Sequence, residues 1–388
     1  MQAQPSSVAP GRFAHVDFIR AIAVLFVVFF HSGIDDNLMG TAGVTMFFVV
    51  SGFVITNLVL REAESATTAM PARARFRIGR FYLRRAFKLL PPLLVAVVLP
   101  SVLVGIFTNW QHINGYKILA MLGFVFNAVR IDSGFSDVLL GTEVTWSLSV
   151  EEQFYLGFAA LWFLLMRFVT MATARRVLRW LALVSVAYSL VASVVMVLAS
   201  NGALVPRVYF GTDTRMGAIS LGVLVALAYR SPGFEQLRVE YHDAGKRASR
   251  LAVDSLLVVT LLLGVVALGN RDLFATHTIM PFAHAGFTAV VICYGLLVAG
   301  APATTRATVI ASTFSRITNL HIFQLIGRAS YSIYLVHATA IHLMRSWWHG
   351  YHTWWDALAG IVVGVSAGVA LWLVVERPIE RLKNRFVP

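Results

Sequence analysis

Arg20 and His31 stand eleven residues apart in the otherwise apolar stretch HVDFIRAIAVLFVVFFH. On a helix, eleven steps return a side chain to within about 20° of its starting face, ~16 Å further along the axis. One helix face then carries a fixed cation and, farther along, an imidazole able to take a proton. Asp17, three residues before Arg20, is spaced to pair with it. The structural alternative is an Arg that snorkels to one membrane surface and a His at the other. Their shared face favours function, because ionisable groups inside apolar helices usually mark a cavity or a partner.

A carboxylate to orient that imidazole is offered by TEVTWSLSVEEQFY. Glu151 and Tyr155 lie one turn apart on one face. Glu151 beside His31 would make a general base with its orienting group, the chemistry that activates a hydroxyl. Ser149 and Glu152 have capping-box spacing, so Glu152 reads as structural. Gly43, Ser51 and Gly52 lie in an apolar run, where such small residues suit close helix packing or close approach of a ligand. The stretch RARFRIGRFYLRRAFKLLPP holds Arg73, Arg75, Arg77, Arg80, Arg84, Arg85 and Lys88 within sixteen positions, with Phe81 and Tyr82 interleaved. Anchoring on anionic lipid explains a basic loop. Its density suggests docking of a phosphorylated ligand as well.

Asp213, Arg215, the run Tyr331 to His337, and Glu376 read first as structural polar groups. The Trp- and His-rich SWWHGYHTWWD resembles an interfacial aromatic belt. Zinc held by His342, His349 and His352 is the weaker reading, and no metal site is expected. Cys293, the one cysteine, can form no internal disulfide and reads as a small buried residue. Walker, Rossmann, His-Glu-x-x-His and Gly-x-Ser-x-Gly patterns do not occur.

The elements that must position these residues are membrane helices. Of 388 residues, 58% are hydrophobic and 13% charged, far from the ~25% charged of a soluble domain. Apolar runs recur near 18–34, 43–60, 89–108, 147–168, 178–199, 214–229, 252–268, 283–299, 330–346 and 356–375. Each approaches the ~20 residues that cross a bilayer, and lipid forces such segments to be helical. The run 117–130 is too short to cross and reads as re-entrant or interfacial. With both termini inside, 25 Lys and Arg fall on the inner side and 5 on the outer, a strong positive-inside bias. The expectation is an all-α, polytopic bundle of about ten transmembrane helices with cytoplasmic termini. It forms one unit over 1–388, with a short tail at 1–14 and no appended soluble domain. The first span reads as retained rather than cleaved. The net charge of +13 needs no nucleic acid to explain it.

Taken together, five stretches resemble the acyltransferase-3 family of integral membrane O-acyltransferases. They are the first helix with Arg20 and His31, MFFVVSGFVIT, FYLRRAFKLLPP, WSLSVEEQFY, and the closing pair ASYSIYLVH and VVERPIER. They span residues 15 to 380. WSLSVEEQFY fits the family's Trp-x-Leu-x-x-Glu-x-x-x-Tyr motif at Trp146, Leu148, Glu151 and Tyr155. Lys88 stands where the basic motif commonly has Arg, which keeps the charge but loses the bidentate fork.

The resemblance implies transfer of an acyl group, usually acetyl, from cytosolic acyl-CoA to a hydroxyl, in the inner membrane of a bacterium. His31 would be the catalytic base, with Arg20 required and Glu151 orienting. Arg20, Ser51, Arg80, Tyr82, Arg84, Arg85 and Lys88 would hold the donor, while Trp146, Tyr155 and Asp213 face the acceptor. Asp17, Glu152 and Glu376 would support. The short branch of the family that acylates macrolides is the nearer likeness, with cell-envelope saccharides as the other acceptor class. The rival class, a proton-coupled transporter, predicts an inverted repeat, and none is legible.

Overall fold

Lipid cannot satisfy backbone polar groups, so the apolar runs resolve as helices. The computed structural model describes residues 13–34, 38–64, 77–107, 114–133, 141–243, 245–269, 272–299, 308–347 and 354–386. The helices are α1 (Ala14–His31), α2 (Leu38–Glu64), α3 (Ile78–Phe107), α4 (Gly115–Leu122), α5 (Phe126–Ser133) and α6 (Thr145–Phe168). There follow α7 (Met171–Ala199), α8 (Val205–Phe210), α9 (Thr212–Tyr229), α10 (Pro232–His242), α11 (Arg247–Leu268) and α12 (Leu273–His277). The last are α13 (Met280–Val298), α14 (Val309–Thr318), α15 (His321–Trp347), α16 (Trp354–Leu371) and α17 (Arg377–Phe386). A π-helical segment, Trp372–Glu376, joins α16 to α17. The chain is an all-α polytopic membrane bundle, with no strand among the described residues.

All ten expected spans fall on helices of at least 18 residues. Seven helices are long and apolar enough to cross a membrane, or up to eight if the bent pair α8–α9 and α10, broken by 69°, is one span. The remaining two, α6 and α15, reach 24 and 27 residues but are too polar to qualify. Their polarity comes from the residues singled out above, Glu151 and Glu152 on α6 and Tyr331 to His337 on α15. The run 117–130 divides into the eight-residue helices α4 and α5, each only ~12 Å long.

Helices α1 and α15 run parallel. The Gln324 side chain reaches the Ala14 carbonyl at 2.9 Å, Arg20 reaches Ser330, and His31 meets His337. Apolar residues Ile19, Ala23, Val24 and Val28 of α1 are fully buried. Helices α7 and α11 instead turn Val184, Val191, Leu262 and Val266 outward, which suits a lipid-facing surface. Helices α2 and α9 cross at reciprocal glycines. A Cβ on Gly52 would lie 1.9 Å from the Ile219 carbonyl oxygen, and one on Gly222 2.0 Å from that of Val49. Gly43 packs likewise against the Ala23 carbonyl. Both glycines flanking Ser51 therefore serve helix packing.

The capping box expected from Ser149 and Glu152 is not formed. Helix α6 starts four residues earlier, at Thr145, after Val144 with no side-chain cap. Ser149 is thus interior, donating to the Thr145 carbonyl and accepting from the Phe126 amide. That frees Glu152 to face α3.

Candidate active site

One cavity of about 140 Å³ opens between α1, α2, α3, α6 and α15. Arg20, Ser51, Arg85, Lys88, Glu151 and Tyr155 line it. Six of the residues singled out from sequence thus come from four helices to one space. At the basic end Arg85 forms an ion pair with Glu152, and its guanidinium lies 3.4 Å over the Tyr155 ring. A stacked, paired Arg is fixed in direction. Arg20, Arg85, Glu376 and Glu380 are the charges that bear on Lys88. Glu376, which is buried, accepts from Ser332 at 2.6 Å. Arg20 donates to Ser330 at 3.1 Å.

Glu151 is held at mid-depth. Ser51 donates to its Oε1 at 2.5 Å and Tyr155 to the same oxygen at 2.8 Å. These bonds tie α2 to α6 and leave Glu151 as the cavity's carboxylate. The carboxylate facing His31 is a different one. Glu143, eight residues earlier, places Oε1 4.0 Å from His31 Nε2 and 3.8 Å from His342 Nε2. Glu143 precedes the helix and lies outside the motif centred on Glu151, so the sequence does not single it out. The backbone that carries it turns at Gly141, whose φ is +86° and whose Cβ would lie 2.2 Å from the Thr339 amide nitrogen. Burial pushes the Glu143 carboxyl up. The nearby imidazoles of His342 and His31 outweigh it and hold the group below its ordinary value.

Hydrogen-bond logic fixes the tautomers. His337 Nδ1 faces two carbonyls, Tyr334 at 2.8 Å and Ile333 at 3.0 Å. Carbonyls only accept, so Nδ1 carries the hydrogen and Nε2 is bare. His337 Nε2 lies 3.1 Å from His31 Nδ1, which also faces the Val27 carbonyl at 2.9 Å. His31 therefore carries its hydrogen on Nδ1 and presents a bare Nε2 beside Glu143. This is the tautomer a general base needs. Its side chain is 16% exposed and that of Glu143 27%, whereas His337 is fully buried. The sequence offered His337 only as the end of ASYSIYLVH, with a structural role assigned by default.

Between cavity and imidazole stands Tyr334. Its hydroxyl pairs with Ser147 at 2.6 Å and donates to the Val144 carbonyl at 3.0 Å. Its ring lies 5.9 Å from that of His337.

Other singled-out residues lie elsewhere. Tyr82 donates to the Leu156 carbonyl at 2.8 Å. Arg80 and Arg84, half-buried on the first turns of α3, act electrostatically on Glu62. Trp146 is buried against Tyr209 and Phe210 and does not line the cavity. Asp213 forms a bidentate ion pair with Arg207 at 2.8 and 2.9 Å, and Tyr188 also donates to it. Asp17 is buried in the first turn of α1. Arg73, Arg75, His349, His352 and the tail up to residue 12 lie outside the described residues. Among the described residues no group of three or more His, Cys, Asp or Glu is arranged to hold a metal ion.

Residues 13–377 match the model for the acyltransferase domain of the acyltransferase-3 family. The chain is 27% identical over 346 residues to a provisionally named O-acetyltransferase of Staphylococcus aureus strain COL, covering 86% of this chain and 51% of that protein. It is 25% identical over 347 residues to the O-acetyltransferase OatA of Staphylococcus aureus strain NCTC 8325, covering 88% and 52% respectively. The chain spans about half the length of the curated relatives it matches. No solved structure matches it.

Proposed function

The chain belongs to the acyltransferase-3 family, and on that premise we propose that it is a membrane O-acyltransferase. It takes an acyl group, acetyl first among them, from acyl-CoA. It delivers that group to a hydroxyl of a glycosylated acceptor, a macrolide antibiotic or a cell-envelope saccharide. The observation that carries this reading is the convergence of Arg20, Ser51, Arg85, Lys88, Glu151 and Tyr155 on one cavity at the basic end of a helix whose other end bears His31. The 25 to 5 division of basic residues supports a cytoplasmic basic end and cytoplasmic termini, with His31 near the outer surface. The chain works as one unit in the inner membrane.

In this reading the 3′-phosphate and pyrophosphate of CoA dock on Arg80 and Arg84 at the cavity mouth. Arg85 and Lys88 supply positive potential inside, and the narrow arm extends beside α1 toward His31. The ~16 Å rise from Arg20 to His31 sets its reach. His31 Nε2 takes the acceptor's proton as the hydroxyl oxygen attacks the thioester carbon. The C–S bond breaks, and the imidazolium returns the proton to the departing CoA thiolate. Glu143 stabilises the imidazolium, and His337 keeps the ring oriented. Asp17, Glu152 and Glu376 hold the helices; Tyr155, expected toward the acceptor, lines the donor cavity beneath Arg85 instead, and Trp146 and Asp213 support the acceptor side indirectly.

The test is purified protein with acetyl-CoA and acceptor, following free CoA thiol. His31→Ala should cost about 10²- to 10⁴-fold in kcat, the usual worth of a general base, with acetyl-CoA binding unchanged. Turnover by His31→Ala at the wild-type rate would remove His31 from the chemistry.

A further inference from the structure

Acyl transfer needs more than a base. As the acceptor oxygen attacks, negative charge develops on the carbonyl oxygen of the thioester, and a fixed donor aimed at it stabilises the transition state. Most donors that line the basic-end cavity are committed. Ser51 and Tyr155 both donate to Glu151, Tyr331 donates to the Leu89 carbonyl at 2.8 Å, and Arg20 is bonded to Ser330 at the basic end. Ser147 and Tyr334 also line this cavity, and their bonds are of a different kind. Both hydroxyls face one acceptor, the Val144 carbonyl, at 3.3 Å from Ser147 and 3.0 Å from Tyr334, and they lie 2.6 Å from each other. Each hydroxyl has a single hydrogen that rotates to suit its neighbours. When Ser147 donates to the carbonyl, the Tyr334 hydrogen is released to turn toward a ligand. Its direction changes without leaving a buried acceptor unmet.

The helix geometry puts this hydroxyl on the donor's path. On α15, Ser330 marks the level of Arg20 and His337 that of His31. Tyr334 comes four residues after Ser330 and three before His337, about 6 Å along the axis from one and about 4.5 Å from the other. An acyl group that arrives from the basic end meets Tyr334 just before the imidazole. The ring is held edge-on against Phe47 at 5.7 Å and tilted against His337 at 5.9 Å. Ser147 and Tyr334 are only 6% and 7% exposed. Exclusion of water strengthens a hydrogen bond to developing charge. The shared carbonyl belongs to the residue after Glu143, so one turn of chain sets both the carboxylate beside His31 and this pair of hydroxyls.

We propose that Tyr334 is a catalytic residue that donates its hydroxyl hydrogen to the thioester carbonyl oxygen, with Ser147 taking over the Val144 carbonyl. The inference rests on the acyltransferase reading and adds to it the group that meets the oxyanion. Attack forms the new C–O bond and moves the C=O pair onto oxygen, where Tyr334 receives it. The pair returns as the C–S bond breaks, and the thiolate takes the proton that His31 holds.

The full chain in lipid nanodiscs is titrated by calorimetry with two analogues of acetyl-CoA. Trifluoroacetonyl-CoA carries a ketone that is hydrated in water and imitates the tetrahedral centre, whereas S-ethyl-CoA has no carbonyl. The wild type should bind the first about 10²-fold more tightly. Tyr334→Phe, which keeps the ring, should lose most of that preference and bind S-ethyl-CoA as the wild type does, which also shows that it is folded. In turnover, followed as free CoA thiol, Tyr334→Phe should lower kcat about 10²- to 10³-fold with the KM for acetyl-CoA little changed. Ser147→Ala leaves the Tyr334 hydrogen on Val144 and should lower kcat about tenfold. A wild type without the preference, or a Tyr334→Phe variant that keeps it, overturns the assignment. If the wild type releases no thiol yet shows the preference and Tyr334→Phe loses it, the donor assignment stands and the acyltransferase reading fails.

Discussion

His31 is defined by what its two nitrogens touch. Nδ1 is committed to His337 and Val27, so only Nε2 is left to accept a proton. His337→Ala removes the tautomer lock and is expected to lower kcat about 10- to 100-fold with little change in either KM. Glu143→Gln should lower kcat in the same way, because the imidazolium loses its counter-charge. Glu151→Gln acts at another depth and should move the KM for acyl-CoA. Steady-state kinetics on the three variants checks the division, and a kcat loss confined to Glu151→Gln would reverse it. Of this arrangement, sequence disclosed the Arg20–His31 face and the importance of a carboxylate near the start of α6. It named Glu151 as the orienting carboxylate, whereas the one beside His31 is Glu143. The choice depends on where α6 begins, and that follows from contacts of Gly141 with a residue 198 positions on. His337 was illegible for a similar reason, since a lone His on an apolar helix usually satisfies itself locally.

At the scale of elements, the basic helix α3 has two kinds of cation. Arg85 is committed to Glu152 and Tyr155 between α3 and α6, whereas Arg80 and Arg84 stand half-buried at its start. Arg85→Ala leaves Glu152 largely buried without its partner and should cost about 3 kcal/mol, seen as a lower Tm in detergent. Arg80→Ala with Arg84→Ala should leave Tm nearly unchanged and raise the KM for acyl-CoA. The α2–α9 crossing makes a further demand. Gly52→Ala puts a methyl into the Ile219 carbonyl, and the resulting separation should cost about 1–3 kcal/mol, also read as Tm. The ten long helices were legible from the length of the apolar runs, whereas short polar ones such as α10, α14 and α17 were not. The polarity of α6 and α15 was legible too, but its cause lay in the opposing helices.

For the whole molecule, the division of basic residues predicts orientation. With Cys293 changed to Ala, a cysteine at Asp272 should react with a membrane-impermeant maleimide from outside intact cells. One at Glu235 should react only after the cells are opened. The opposite labelling pattern would invert the topology and place His31 in the cytoplasm. On the proposed reading the donor's phosphates meet the half-buried Arg80 and Arg84, so its KM should also rise with ionic strength, as screening shortens the reach of surface charge. Charge asymmetry was fully legible in sequence because it needs only counting. The cavity was not, because it is made of gaps between helices rather than of residues in order.

The parallel pairing of α1 with α15 has a consequence for biogenesis. His31 and His337 are 306 residues apart in the chain, and Arg20 and Ser330 are 310 apart. Throughout synthesis α1 waits in the bilayer with its cation and imidazole unmatched, until nearly the last of the bundle is inserted. On the proposed reading, a chain that stops before α15 lacks the imidazole that orients His31, so acyl transfer would have to await insertion of α15 and no separate inhibitor of the incomplete chain would be needed.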